Sequence, residues 1–554
     1  MPFNLKKSQR VAGDSPESLF NDLRGRRTIE GLLSHQADVL RSYKDNALDA
    51  PDVALQLPTG SGKTLVGLLL GEWRRLKNSE RVVYLCPTNQ LVHQVAAQAK
   101  EKYGIDVTPF TGKKSEYPPS ARAAYLDGES IAVTSYSSLF NVKPFFENNH
   151  VIILDDAHAA ENYISSSWSL SAGRRDPDTA ALFAALANVL EPVLSPTAAH
   201  RLTALTAEHR FDEDWVDSVP LPAFEPILNE MASVLDAHAG SSGDVVFRWR
   251  WIKDHLDACQ IYIARGEILI RPLIPPTNTH APFASARQRV YMSATLGSGG
   301  DLERITGRRS ILRLQVPSVW KTQGVGRRLF FFPASSLSRD EMLALSGGMI
   351  KRAGRAVVLT TGLYRAADLR KTFEEETGFP TFDAREIENS KEGFIQTPEA
   401  VAVIANRFDG IDFPGDECRL LFVDQLPRAT NLQENFFATR VGAATLLQDR
   451  IMTRVVQGFG RCTRSATDFA AVVVLGESLF TYLSQRDRRG FFHPELQAEI
   501  EFGLFQSRNQ SIATFMDNLD LFLGEVANGK TRRLPSLSCG KGKLRSRSQA
   551  QPIS

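Results

Sequence analysis

The sequence predicts an α/β fold of two domains that each contain a parallel sheet, the first interrupted by a mostly helical insert. Three observations predict this fold. Short apolar runs alternate with helical stretches, the alternation stops after residue 158, and it resumes at about residue 328. Continuous apolar runs are typical of parallel strands, which are buried on both faces between layers of helices. The length of 554 residues allows several such units.

The first alternating region runs from residue 29 to residue 158. Apolar residues at helical spacing predict a helix over 29–43, and the amphipathic segment Gln90–Tyr103 predicts another. Short apolar runs predict the buried strands Val53–Leu57, Val82–Cys86, Ile131–Ser135 and Val151–Leu154.

The insert follows this region. Apolar residues at helical spacing predict helices over Thr179–Leu190, Pro222–His238 and Val245–Ile263. Glu267–Ile274 predicts a strand, and Val290–Ser293 predicts another where the first domain resumes.

The second alternating region contains four more apolar runs. They predict the strands Ala356–Thr360, Val401–Ala405, Leu420–Asp424 and Ala471–Leu475. Residues 529–554 hold seven basic residues and no acidic one, which predicts a disordered basic tail. The whole chain has 65 Lys and Arg against 63 Asp and Glu, so any surface that binds a polyanion has to be local.

The cysteines and the apolar runs exclude several classes of protein. The five cysteines, Cys86, Cys259, Cys418, Cys462 and Cys539, show no metal-binding spacing and no disulfide framework, which favours a reducing compartment. The apolar runs are shorter than the roughly 18 residues that cross a bilayer, and the first ten residues are polar. We therefore expect a soluble, cytoplasmic protein that does not bind a membrane.

The segment from Leu57 to Thr64, with the sequence LPTGSGKT, follows a predicted strand and begins an apolar helix. Backbone N–H groups of such a loop, with the positive end of the helix, bind phosphates. Lys63 is predicted to reach the β- and γ-phosphates, and the Thr64 hydroxyl to bind Mg²⁺. The remaining predicted phosphate-binding residues are Pro58, Thr59, Gly60, Ser61 and Gly62. Leu57 stands where the strict pattern has its first glycine.

An acidic pair, Asp155 and Asp156, follows the predicted strand Val151–Leu154 and precedes His158. This position is the carboxyl end of a buried strand, beside the predicted nucleotide. Asp155 is predicted to hold Mg²⁺ through water, and Asp156 to polarise the attacking water.

These two segments resemble motifs I and II of the superfamily 2 helicases, and further segments resemble the remaining motifs in order. They are His35–Gln36 for the adenine contact, Pro87–Gln94 for motif Ia, Thr134–Tyr136 for the next strand contact, Ser293–Leu296 for motif III, Asn406–Phe413 for motif V and Gln457–Arg464 for motif VI. The resemblance covers about residues 30–480 apart from the insert. It implies two RecA-like P-loop domains that bind ATP and Mg²⁺ in the cleft between them.

The resemblance also implies roles for individual residues. The residues implied in hydrolysis are Lys63, Asp155, Asp156, Gln457, Arg461 and Arg464. Arg461 and Arg464 would stabilise the γ-phosphate as a finger pair. Those implied in nucleotide binding beyond motif I are Gln36, Gly410 and Asp412. Those implied in coupling or in contact with a nucleic-acid strand are His158, Ser293, Thr295, Pro87, Thr88 and Thr134.

Within this superfamily, motif V and the large insert resemble the xeroderma-pigmentosum-D (XPD) and DinG-like branch. Members of that branch carry four cysteines between motifs I and II that bind a 4Fe–4S cluster. Only Cys86 lies there in this chain, so we expect no iron–sulfur cluster. Asp156 replaces the glutamate of the branch, and its shorter side chain predicts slow hydrolysis unless the backbone brings the carboxylate closer.

These patterns divide the chain into five parts. The predicted parts are an extension (1–28), a first RecA-like domain (29–158 and 285–326), an arch-like insert (159–284), a second RecA-like domain (327–528) and the basic tail (529–554).

We expect an ATP-dependent DNA helicase or single-strand DNA translocase, with a role in DNA repair or in defence against foreign DNA. Two alternatives stay open: a slow ATP-gated nucleic-acid clamp or remodelling subunit with protein partners in a larger complex, and an RNA helicase. Phe247–Lys253 interleaves aromatic and basic residues. It suits a strand-stacking surface or a half-buried helix face, of which we expect the second. The basic tail either adds affinity for nucleic acid or has no role.

Overall fold

The computed structural model describes residues 13–57, 61–204, 215–240, 243–297, 299–314, 326–405, 411–427, 431–443, 447–463 and 468–527. The described strands form three sheets, two of them parallel and one antiparallel. In chain order the strands are β1 (Asp52–Gln56), β2 (Val82–Cys86), β3 (Val107–Phe110), β4 (Ile131–Ser135), β5 (Val151–Leu154), β6 (Leu170–Gly173), β7 (Val216–Ser218), β8 (Cys259–Ala264), β9 (Glu267–Pro272), β10 (Gln288–Ser293), β11 (Leu312–Arg313), β12 (Arg327–Phe331), β13 (Arg355–Thr360), β14 (Thr381–Phe382), β15 (Ala400–Ala405), β16 (Leu420–Val423) and β17 (Phe469–Val474).

Helices pack around these sheets. In chain order they are α1 (Pro16–Asp22), α2 (Ser34–Asn46), α3 (Lys63–Asn78), α4 (Asn89–Gln98), α5 (Pro119–Leu126), α6 (Tyr136–Leu139), α7 (Ala160–Tyr163), α8 (Ala180–Leu190), α9 (Pro196–Thr203), α10 (Leu221–Phe224), α11 (Leu228–His238), α12 (Gly243–Ile252), α13 (Ala281–Ala284), α14 (Asp301–Thr306), α15 (Arg339–Ala353), α16 (Leu363–Thr377), α17 (Ala384–Asn389), α18 (Glu392–Gln396), α19 (Leu432–Thr439), α20 (Gln448–Phe459), α21 (Glu477–Ser484), α22 (Arg486–Arg489), α23 (Pro494–Gln506) and α24 (Ile512–Ala527). None of the helices within the described ranges is long and apolar enough to cross a membrane.

The first parallel sheet has seven strands in the order β11-β1-β10-β5-β2-β4-β3. The runs that form β2, β4 and β5 are buried along their whole length, as expected for strands covered by helices on both faces. Because the strands are parallel, the segments that follow β1, β10, β5, β2 and β4 meet at one edge of the sheet. These segments are motifs I, III, II and Ia and the element after motif Ia.

The second parallel sheet has six strands in the order β12-β17-β16-β13-β15-β14. Its central strands β15, β16 and β17 are buried throughout. Apolar clusters cover both faces of this sheet, one built around Val357, Leu421 and Val472 and the other around Val358, Phe422 and Val473. The chain is thus an α/β protein with two parallel sheets, which confirms the predicted fold class.

The insert contains helices and a four-stranded antiparallel sheet in the order β6-β9-β8-β7. The prediction of one helix over Val245–Ile263 is wrong from Cys259 onward, because α12 gives way to a 3₁₀ segment over Lys253–Ala258 and Cys259–Ala264 forms strand β8. This strand has the sequence CQIYIA and pairs along its length with β9. Its β-branched and aromatic residues suit a sheet, and tertiary pairing overrides the helical spacing.

Candidate active site

The phosphate-binding loop of motif I begins at the carboxyl end of β1 and leads into α3, which starts at Lys63. Gly62 has a φ of +75°, and a Cβ atom at this position would lie 2.4 Å from Nε2 of Gln36. The positive φ favours glycine here, and a larger residue would also displace the end of the Gln36 side chain. Pro58, Thr59 and Gly60 lie outside the described residues.

Gln36 packs directly on this loop. Its Nε2 atom donates to the Ser61 carbonyl at 2.7 Å, and its Oε1 atom accepts from the Leu33 N–H at 3.0 Å. The His35 ring also lies 3.2 Å from the Ser61 carbonyl. The residue predicted for adenine contact is therefore buried against motif I, where it supports the loop.

Asp155 of motif II is held by Tyr84 on the neighbouring strand β2, by Tyr136 at the start of α6 and by the N–H of Asp156. Its Oδ2 atom accepts from the Tyr84 hydroxyl at 2.8 Å, and its Oδ1 atom accepts from the Asp156 N–H at 3.0 Å. The Tyr136 hydroxyl donates to the Asp155 carbonyl at 2.7 Å. The carboxylate predicted to serve Mg²⁺ is thus held in one orientation.

The two acids of motif II interact with each other and with motif I. Burial raises the pKa of the Asp155 carboxyl to about 6, and the neighbouring Asp156 carboxylate adds to the rise. Asp156 has a φ of +49°. Its Oδ1 atom lies 2.8 Å from Lys63 Nζ, so the lysine of motif I and the second acid of motif II form an ion pair.

The oxygen donors at this edge fit Mg²⁺. Asp155 offers a carboxylate and Thr64 a hydroxyl, and Mg²⁺ at phosphate sites uses one or two carboxylates together with substrate oxygens. Across the described ranges, no group of three or more His, Cys, Asp or Glu side chains is arranged to hold a metal ion. A carboxylate and a hydroxyl together suit an ion that completes its coordination with nucleotide oxygens and water.

Motif III connects motif II to the second domain. The His158 ring lies 2.7 Å from Ser293 Oγ, which also accepts from the Thr295 N–H at 3.3 Å. Gln457, on helix α20 of the second domain, donates through Nε2 to Thr295 Oγ1 at 3.4 Å. The three residues predicted for coupling thus form a chain of contacts that ends on motif VI.

Motifs V and VI meet inside the second domain. Arg461 Nη1 lies 2.7 Å from Asp412 Oδ1 and 3.3 Å from the Ile411 carbonyl. The Arg461 side chain is 3% exposed. Gly410 and Arg464, the other predicted residues of these motifs, lie outside the described residues.

The residues predicted to contact a nucleic-acid strand lie at the ends of β2 and β4. Thr134 is fully buried, and its hydroxyl donates to the Phe110 carbonyl at 2.7 Å. Pro87 is buried as well, and Thr88 caps helix α4 by accepting from the Leu91 N–H at 3.3 Å. Thr88 itself is half-buried at this turn.

The aromatic and basic segment of the insert is packed, as expected. Trp249 is 2% exposed, and its ring N–H donates to Asp236 at 2.8 Å. Trp251 stacks edge to face on Trp168 at 4.7 Å between ring centroids, and Arg248 donates to the Ser166 carbonyl. This face belongs to the core of the insert.

Sequence reasoning missed the two tyrosines that hold Asp155. A tyrosine hydroxyl inside a buried strand needs a hydrogen-bond partner. The position of Tyr84 in the buried run VVYLC therefore indicates that its hydroxyl binds a polar group. That its partner is Asp155 follows from the pairing of β2 with β5, which cannot be read from the sequence.

Comparisons with known proteins agree with this architecture. Residues 34–188 match the DEAD/DEAH box helicase family, and residues 349–487 match the helicase C-terminal domain. A solved XPD structure in its apo form is similar with a TM-score of 0.54 and 15% identity, over 82% of this chain and 97% of that chain. A solved XPD helicase is similar with a TM-score of 0.51 and 13% identity, over 83% and 98%. No curated protein sequence matches the chain.

Proposed function

Because the chain is a superfamily 2 helicase that hydrolyses ATP and has an XPD-like fold, we propose that it moves along single-stranded DNA. The supporting observation is the convergence of motifs I, II and III at one sheet edge, with Gln457 of motif VI reaching Thr295 at 3.4 Å. A motor needs its hydrolysis site to span two bodies that move relative to each other. A bond from motif VI to motif III spans them.

In the proposed reaction, Lys63 exchanges its contact with Asp156 for the phosphates of ATP. Asp156 is then free to orient the attacking water, and Arg461 stabilises the charge that develops on the γ-phosphate. Mg²⁺ held by Thr64 and Asp155 would neutralise phosphate charge when bound. The Tyr84 hydroxyl orients the Asp155 carboxylate that would hold the ion.

The proposed parts of the motor keep the predicted bounds. The first motor domain takes 29–158 and 285–326, the insert 159–284 and the second motor domain 327–528. Contacts of the motor with DNA phosphates and sugars imply little base preference. A role in DNA repair or in defence against foreign DNA is part of this proposal.

The test measures ATP hydrolysis with single-stranded DNA, duplex DNA and single-stranded RNA of equal length. We expect the largest stimulation with single-stranded DNA and none in Lys63→Ala. Equal or larger stimulation with RNA would favour an RNA helicase. Stimulation that persists in Lys63→Ala would reject the proposed site.

A slow ATP-gated clamp is the second candidate, and the short Asp156 side chain favours it. Asp156 sits 2.8 Å from Lys63, so its carboxylate is occupied by the lysine that ATP needs. Pre-steady-state hydrolysis separates the two candidates. A clamp hydrolyses ATP slowly and stays on DNA until hydrolysis, whereas a translocase turns over many times per binding event.

A further inference from the structure

A buried cluster of charged side chains joins the second motor domain to the first domain and to the insert. We call it the interface cluster. Its members are Glu161 on α7, Arg271 on β9, Asp301 and Arg304 on α14, Glu434 on α19, and Arg450 and Arg454 on α20. Glu434 is fully buried, and the Glu161, Arg271, Arg450 and Arg454 side chains are each less than 10% exposed.

Two arginines of the interface cluster cross between the domains in opposite directions. From the second domain, Arg450 Nη1 lies 3.6 Å from Glu161 and 3.6 Å from Asp301. From the first domain, Arg304 Nη2 lies 3.7 Å from Glu434. Asn431 adds a hydrogen bond from its Nδ2 atom to Glu161 Oε1 at 3.0 Å. Arg450 also pairs with Glu434 inside its own domain.

The interface cluster connects directly to the hydrolysis residues on both sides. Arg450, Arg454 and Gln457 follow one another at spacings of four and three, which places them along one face of α20, and Arg461 follows just beyond the end of this helix at Phe459. Glu161 lies five residues after Asp156, at the start of the segment that leaves motif II. The interface cluster therefore lies between the segment that follows motif II and the helix that leads into motif VI.

Buried ion pairs are weak evidence for stability, because the loss of hydration offsets most of the attraction. Their value is geometric, since each carboxylate accepts its guanidinium partners only from certain directions. Arg271, Arg450 and Arg304 outweigh the effect of burial on Glu161 and hold the pKa of its carboxyl below the ordinary value. Glu161 is thus charged at neutral pH and can orient Arg450.

We propose that Glu161, Glu434 and Arg450 are positioning residues for ATP hydrolysis, which hold the motif VI helix in register with motif II. The proposal deepens the function proposed above and rests on it where strand stimulation is concerned. It assigns to these residues an effect on the rate of hydrolysis and not on the binding of ATP or DNA.

The test compares Arg450→Met and Arg450→Lys with Arg328→Met in the full-length chain. Arg328 is a matched control: its side chain is 5% exposed and pairs with Glu499 at 2.8 Å inside the second domain. The measurements are the melting temperature, kcat and KM for ATP with and without single-stranded DNA, and the dissociation constant for DNA. All rates are taken at a temperature where each variant is folded.

We expect Arg450→Met to lower kcat by about tenfold or more while KM for ATP and DNA affinity change less than about twofold. Arg450→Lys should recover part of the rate, because it keeps the charge. Arg328→Met should lower the melting temperature and leave kcat unchanged. Equal kcat losses in Arg450→Met and Arg328→Met, or a loss that appears in KM alone, would overturn the proposal.

The proposal remains testable if Arg450→Met does not fold or if DNA does not stimulate hydrolysis. If Arg450→Met does not fold, Glu161→Gln tests the same contact with nearly unchanged shape, and an unchanged kcat in this variant would overturn the proposal. If the unaltered protein shows no stimulation by DNA, the translocase proposal fails. The role of Arg450 is then decided on the basal kcat alone, so the two failures are distinguishable.

Discussion

The two walls of the nucleotide cleft hold their charged groups in different ways. On the wall of the first domain, Lys63 and Asp156 pair at 2.8 Å with side chains that are 18% and 29% exposed. On the wall of the second domain, Arg461 pairs with Asp412 at 2.7 Å and is only 3% exposed. Each wall thus keeps a cation that we propose for hydrolysis on a carboxylate of its own domain.

The difference in burial separates the tasks of the two walls. A partly exposed ion pair contributes at most about 1 kcal/mol, so phosphate oxygens can readily replace Asp156 at Lys63. A buried arginine cannot leave its carboxylate without a new partner. We infer that the first wall accepts ATP easily, and that the second wall turns its arginine toward the phosphates only when closure supplies negative charge.

The largest expected effect is that of Arg461→Gln. Loss of a finger arginine lowers kcat by about a thousandfold, while ATP binding should change little because the first wall binds the phosphates. Steady-state ATPase and ATP affinity would be measured together. Arg419→Gln, which removes a cation paired with Asp468 in the same domain, is the control. A variant that loses stability but keeps kcat would mean that Arg461 only supports Asp412.

Lys63→Ala tests the first wall. Removal of a preorganised cation from the phosphate site should lower kcat/KM for ATP by about a hundredfold or more and weaken ATP binding. The control is Lys77→Ala on the same helix, whose ammonium lies over the Trp73 ring. If Lys63→Ala binds ATP normally, the inference that the first domain binds the phosphates of ATP is wrong.

Asp156→Glu tests whether the short side chain of Asp156 limits the rate of hydrolysis. The added methylene brings the carboxylate closer to the attacking water and should raise kcat by about tenfold, since small shifts in position have large effects on rate. Single-turnover hydrolysis measures the chemical step directly. An unchanged or lower rate would show that the backbone at φ +49° already compensates for the shorter side chain.

The smallest expected effect is on the pH dependence of stability through Glu161, which contacts Arg450 of the second domain. The pKa of Glu161 is lowered on folding, so its contribution to stability is complete at neutral pH and is lost as the pH falls through that pKa. Glu161→Gln should therefore be less stable than the unaltered protein by about 1 kcal/mol at pH 7, with the difference vanishing in acid. Thermal unfolding between pH 7 and pH 3.5 measures it.

Glu499→Gln is a control of opposite sign for that series. Burial raises the pKa of the Glu499 carboxyl to about 6, so its ionisation above that pH disfavours the folded state. Relative to the unaltered protein, this variant should gain stability as the pH rises through about 6. Parallel pH trends in the two variants would contradict the assignment of charge to Glu161.

Much of the fold could be predicted because parallel strands are covered on both faces. The predicted strand Val82–Cys86 has the same bounds in the structure, and so do Ile131–Ser135 and Val151–Leu154. The segment Cys259–Ala264 could not be predicted in this way. Its apolar residues suit a helix or a strand equally, and only pairing with β9 decides between them.

Residue patterns in the sequence predict the α/β class, the order of the motifs and the proposed roles of Lys63, Thr64, Asp155 and Asp156. These features are local, since each depends on residue type at short spacing beside a buried strand. The tertiary structure alone decided that Tyr84 orients Asp155, that Asp412 holds Arg461, and that Glu161 meets Arg450 at 3.6 Å. Those partners lie 49 to 289 residues apart in the sequence. Strand order and domain docking bring them together, so no short sequence spacing predicts their contact.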